Sequence, residues 1–247
     1  LPLFFNPVFF STDTFAENNF MPQERYNIFN QIHKGLRGLL YDTALAIQQT
    51  DMSSDAGAEV LARITTVIEV FEAHAHSEDK YLLPMIQKHD AAIVLDFEKD
   101  HDMDHQFSET LADLIGAWYK AATKSDRQKI GLSIFYAFNE FVAFNLYHMN
   151  REESTLLLAI WKHYTDEELH EVTGQIVANI PHDILMTESL WMMRSLNDPE
   201  IAGWLTEIRM GAPTEVFMKY LEMAKNELPE HRRVAIHEQL EFTPANA

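Results

Sequence analysis

The chain predicts an all-α fold, an up-down-up-down four-helix bundle followed by a smaller helical appendage. Three observations lead there. Glycine and proline number only 8 and 9 in 247 residues, so few breakers interrupt a composition rich in Leu, Ala, Glu and Met. Four long stretches carry apolar residues at the three-, four- and seven-residue steps of one helix face. The segments that join them are short, which makes successive helices antiparallel neighbours.

The first helical pattern starts near residue 24 and keeps Phe29, Ile32, Leu36, Leu40 and Ile47 on one stripe. Thr50-Asp51 and the run Ser53-Ser54-Asp55-Ala56-Gly57 end it. The second runs from about Ala58 to Lys88 with Leu61, Ile64, Phe71, Leu82 and Met85 in register, and His89-Asp90 reads as a turn. The third, up to about Thr123, carries Val94, Phe97, Leu111 and Ile115. Ser125-Asp126 predicts the N-cap of the fourth, whose stripe is Ile134, Phe138, Phe141 and Leu156. Beyond Tyr164 the character changes. Thr165-Asp166-Glu167-Glu168 reads as a capping box, and Pro181, Asn197-Asp198-Pro199, Gly211-Ala212-Pro213 and Leu228-Pro229 cut the remainder into shorter helices. The expected division is an arm over 1–23, the bundle over 24–163 and a helical extension over 164–247. The arm reads as an upstream reading-frame extension or a poorly ordered segment; the extension packs on the bundle or serves self-association or a protein partner.

Composition narrows the function classes. There is no cysteine, so disulfides, thiolate metal sites and cysteine nucleophiles are excluded. A net charge of −19 with no basic cluster argues against nucleic acid and anionic membrane as partners. No apolar run approaches the roughly 20 residues that span a bilayer. The short apolar start, broken by Pro2 and Pro7, lacks the basic head of a signal peptide, and the expected location is the cytoplasm.

The informative residues sit inside the apolar stripes. His33 falls on the first, His74 and Glu78 on the second, His101 and His105 on the third, His148 and Glu152 on the fourth. Ionisable groups enter a core only when something neutralises them, and a metal pair does so. Residues four apart lie one turn above each other, so each of the last three pairs offers converging ligands. Counted from the helix ends, all seven fall in a slab roughly 10–22 Å deep at about 1.5 Å per residue. Imidazole and carboxylate without thiolate suit iron, manganese or zinc. Two carboxylates and five imidazoles are too many for one tetrahedral ion but match two ions bridged by both glutamates. Three imidazoles on one ion and two on the other would leave an open position for dioxygen or another diatomic.

These motifs resemble the hemerythrin-like family of four-helix di-iron proteins over residues 26–163. The matching residues are His33 in Ile-His-Lys-Gly-Leu-Arg, His74-Ala-His-Ser-Glu78, His101-Asp-Met-Asp-His105 and His148-Met-Asn-Arg-Glu152-Glu153. The resemblance implies two non-haem iron ions, oxo- or hydroxo-bridged, and the binding or sensing of O2 or a related molecule such as NO or peroxide. Iron sensing, delivery or repair is the alternative, with a ferritin-like ferroxidase further behind. The family's oxygen carriers place the last carboxylate five residues after its histidine, which would select Glu153; helical register favours Glu152, because a five-residue step turns about 140° off the histidine's face. The iron-sensing members use fewer third-helix histidines, which makes either His101 or His105 an outer residue by that comparison. His76 should point away from His74, and Asp100, Asp102 and Asp104 read as a solvated acidic face or as props for the imidazoles. Trp161, Trp191, Met192, Met193 and Trp204 are expected at the seam between bundle and extension.

Overall fold

A computed structural model describes the backbone of residues 25–242 and the side chains of 25–240; the arm expected over 1–23 lies outside the described residues. All regular structure among them is helical: α1 Asn30–Gln49, α2 Ala56–Ser77, α3 Leu83–Gln87, α4 Ala91–Lys120, α5 Lys124–Arg151, α6 Leu157–Trp161, α7 Asp166–Asn179, α8 His182–Ser195, α9 Asp198–Gly211, α10 Thr214–Glu227 and α11 Glu230–Phe242. The four expected long helices are α1, α2 continued by α3, α4, and α5 continued by α6. They pack in a ring, α1 on α2, α2 on α4, α4 on α5 and α5 back on α1.

Local chemistry sets the ends. The Asp90 carboxylate accepts from the Ala92 and Ile93 backbone N–H groups and so starts α4 as an N-cap rather than merely completing a turn. For α5 the cap is Thr123, whose hydroxyl accepts from Asp126 N–H, two residues earlier than Ser125-Asp126 predicts. Thr165 and Glu168 form the expected capping box of α7.

Two interruptions have no counterpart in the predicted pattern. Glu78–Leu82, between α2 and α3, and Glu152–Leu156, between α5 and α6, are π-helical turns. Each opens on a glutamate whose carbonyl accepts from the N–H five residues on, Leu83 in one and Leu157 in the other. A π-turn inserts one residue into the helical register, so the buried stripe moves by one: Ile86 is fully buried where Met85 was expected, and Met85 is half-buried.

The bundle core divides into two apolar clusters. One holds Leu36, Phe71, Leu111 and Phe141; the other holds Phe29, Leu82, Phe97 and Leu156. On every long helix the chain crosses from one cluster to the other through buried polar residues, among them His33, Glu78, Asp104, Asn145, His148 and Glu152. That polar layer lies near the starts of α1 and α4 and at the ends of α2 and α5.

The extension closes onto the bundle along α1. Gly35 and Gly38 let α8 approach closely, since a Cβ at Gly38 would lie 2.0 Å from the Ser195 hydroxyl and one at Gly35 would lie 3.0 Å from Met192 backbone. Neighbouring residues of α8 face two cores: Trp191 joins the bundle cluster, while Met193 packs with Leu196, Ile201 and Leu205 in the extension's own. Trp161 ties its indole N–H to the Tyr26 carbonyl. Among the described residues, no helix is long and apolar enough to cross a membrane.

Candidate metal centre

Six of the seven predicted side chains meet in the polar layer. His33, His74, Glu78 and Glu152 place one potential ligand atom each within 4.8 Å of one another, and so do Glu78, His101, His148 and Glu152. The two groups share both glutamates. Each carboxylate divides its oxygens between them. Glu78 turns Oε1 to His74 Nε2 at 3.2 Å and Oε2 to His101 Nε2 at 3.3 Å. Glu152 turns Oε2 to His33 Nε2 at 3.4 Å and Oε1 to His148 Nε2 at 3.0 Å.

Within this cluster His33, His74 and His101 Nε2 and all four glutamate oxygens are buried without a hydrogen bond. The ionic contacts above are close but misaligned for hydrogen bonding. Buried polar atoms without partners are costly, and these four oxygens and three nitrogens, gathered in two groups, are the donor set that a pair of cations would satisfy. The residues therefore fit the group. Their chemistry, imidazole and carboxylate without sulfur, suits iron, manganese or zinc.

The far nitrogens are held by a separate set of acids. His33 Nδ1 lies 2.9 Å from Glu153 Oε1, which also accepts from Arg37. His101 Nδ1 lies 2.7 Å from Asp79 Oδ1. His148 Nδ1 lies 3.2 Å from Asp100, itself paired with Arg151. A carboxylate only accepts, so each Nδ1–H donates and Nε2 is the nitrogen turned to the centre. Phe29 stacks on His33, and Phe97 and Phe144 pack on His148, which keeps water from both imidazoles.

Without a cation between them these groups perturb each other strongly. Burial raises the Glu78 carboxyl, but the facing imidazoles His74, His101 and His33 outweigh it and hold it well below the usual range. Burial and the Glu78 charge push Glu152 up, against the pull of His148. Burial opposes charge on His101, yet Asp79 and Glu78 carry it up to about 11; for His148, Glu152 and Asp100 overcome burial and carry it to about 10.

His105 is the predicted residue that stays outside. Its side chain is 62% exposed and faces Glu72 and Glu109. Two successive four-residue steps from Phe97 rotate about 80° around the helix, so after His101 the inward register returns through Asp104. Asp104 is buried and accepts from the Asn145 amide at 2.6 Å. The expected 1-2-2-2 distribution of candidate ligands thus becomes 1-2-1-2, and the two groups that could hold a cation contain two imidazoles each rather than three and two. Glu153 sits behind His33 rather than between the two groups, while His76 and Asp102 are exposed as predicted. Asp100 turns inward as a prop for His148, the second of the two readings, while Asp104 turns inward to Asn145 and fits neither. Asp79 and Glu188 were not singled out. Asp79 has a sequence signal, since it follows Glu78 as Glu153 follows Glu152; Glu188 has none, because it comes from α8, across the seam.

Comparison with protein families matches residues 25–160 to the hemerythrin HHE cation binding domain. No curated protein and no solved structure matches the chain. The match spans more than half of the sequence and contains both four-residue ligand groups. The chain belongs to the hemerythrin HHE cation-binding family.

Proposed function

We propose that the chain is a non-haem di-iron protein that binds or senses O2 or a related small molecule such as NO or peroxide. The observation that supports this most is the division of both glutamates' oxygens between two imidazole pairs, the pattern of two adjacent ions sharing bridging carboxylates. His33 and His74 would hold one ion, His101 and His148 the other, with Glu78 and Glu152 across both. When bound, an iron pair supplies redox-active centres that take up small diatomic species.

The protein's own contribution is positioning and exclusion. Glu153, Asp79 and Asp100 hold Nδ1 protons and so orient three of the four imidazoles before anything binds. Phe29, Phe97 and Phe144 wall off bulk water. Burial of both glutamates keeps the layer at low dielectric, where charge compensation by cations is strong. The ferroxidase alternative loses ground here, because Glu98, the carboxylate of the Glu-x-x-His step to His101, is exposed.

Anaerobic loading with ferrous iron followed by metal analysis should give about two irons per chain, the count that the two ligand groups require. Admission of oxygen should then produce charge-transfer absorption that reverses on evacuation. Persistent iron-free protein, or one iron bound at a time without spectral change, would defeat the reading. Continuous turnover of ferrous iron would point to an oxidase instead.

A further inference from the structure

The extension does more than cap the bundle. Between α1, α2 and α7–α10 lies a cavity of about 610 Å³, lined on one side by His74 and Glu78 and elsewhere mostly by apolar side chains such as Ile32, Leu185, Met192, Trp204 and Ile208. Its volume is in the range of pockets that enclose small organic molecules, whereas a diatomic needs far less. Its lining acids are Glu78, Glu188 and Glu207, beside the imidazoles of His74 and His170, with no lysine or arginine. Glu188 is 7% exposed and makes no hydrogen bond or ion pair among the described residues, and burial pushes its carboxyl up to about 7 against the pull of His74. An apolar chamber whose buried acids have no lysine or arginine beside them disfavours anions and takes neutral or cationic guests.

We infer that this cavity binds an uncharged or cationic hydrophobic organic molecule and presents it to the His74–Glu78 face of the centre. Binding to the cavity stands on its own; the guest's position beside a metal pair rests on the functional reading above. His74 is also the imidazole whose Nδ1 has no carboxylate partner of the kind that holds His33, His101 and His148, so the cavity meets the centre at its least enclosed candidate ligand.

Two fluorophores with the same aromatic body test the charge and the place together. The full chain should bind uncharged N-phenyl-1-naphthylamine saturably, near one per chain, and its anionic relative 8-anilinonaphthalene-1-sulfonate at least tenfold more weakly. Glu188→Gln should narrow that gap severalfold. Gly174 and Gly211 both line the cavity, and an added Cβ at either meets nothing within 4 Å. Gly174→Phe combined with Gly211→Phe should therefore weaken the uncharged probe at least tenfold while metal content stays the same. With zinc and cobalt loaded in turn, bound probe should be dimmer over paramagnetic cobalt. Failure of saturable binding, equal affinity for both probes, or indifference to the paired phenylalanines overturns the inference. Equal emission over the two metals overturns the placement beside the centre. Normal probe behaviour in a chain that loads no metal upholds the cavity and removes only the metal reading.

Discussion

The bundle contains the same device twice, and one difference between the two copies bears on the histidines' support. Phe29-x-x-x-His33 on α1 corresponds to Phe97-x-x-x-His101 on α4. His74-x-x-x-Glu78-x-x-x-Leu82-Leu83 corresponds to His148-x-x-x-Glu152-x-x-x-Leu156-Leu157, and in each the π-turn opens on the glutamate. The residue after each glutamate, Asp79 or Glu153, holds the imidazole of the opposite copy. The copies part at the residue before the lone histidine. Asp100 precedes His101 and holds His148, whereas Ile32 precedes His33 and leaves His74 without an equivalent acid. That single replacement opens the His74 side to the cavity and to Glu188. Two near-equal groups of candidate ligands are thus built with unequal surroundings, one enclosed by the bundle and one facing the extension.

The strongest way to break the comparison is to remove a residue that both copies share. Glu152→Ala should abolish paired loading, lowering iron from about two per chain to one or none and weakening binding at least 100-fold by isothermal titration. The metal-free fold should tolerate the change, because the variant also removes a buried carboxylate whose oxygens have no hydrogen-bond donor. A variant that still binds two ions would refute the bridging role.

Removing one prop tests the asymmetry itself. Asp100→Asn should weaken the ion held by His148 by about 10–100-fold, the usual cost of losing a carboxylate behind a ligating imidazole. The same exchange at Asp79, whose side chain is 48% exposed, should cost less. The discriminating measurement is a stepwise loading curve for each variant. Equal effects would mean that burial of the supporting acid is irrelevant.

Loading should also release protons. In the metal-free chain His101 and His148 are raised to about 11 and about 10, above the ordinary 6.5. Their contacts with carboxylates therefore stabilise the metal-free fold fully below about pH 6.5, and that contribution is lost as pH rises toward 10–11. Ligation requires free Nε2 lone pairs, so apparent affinity should climb with pH over the same range, by about tenfold per unit for each proton displaced. Titrations in buffers of different ionisation enthalpy count those protons; a pH-independent affinity would contradict the coupling.

The smallest effect belongs to His105→Ala. Exposed and facing two surface acids, His105 should change iron affinity less than twofold and stability by no more than about 0.5 kcal/mol. A loss comparable with His101→Ala would return it to the ligand set.

By itself, the sequence determined the helical class, the layer in which ionisable groups interrupt the stripes, and the six side chains that meet there. Those features are local: a step of four residues sets which side chains share a face, and a histidine in an apolar stripe is visible without knowing its neighbour. Only the tertiary structure decided the rest. Two consecutive four-residue steps drift off the face, so packing against α5 gave the inward place to Asp104 rather than His105. The π-turns depend on how α2 and α5 must widen to seat Glu78 and Glu152, a demand that neither segment expresses in isolation. The cavity and Glu188 come from α8, brought to His74 by the glycine contact with α1 across more than a hundred residues of chain. Proximity of that kind is set by how faces pack, and periodicity within one helix carries no record of it.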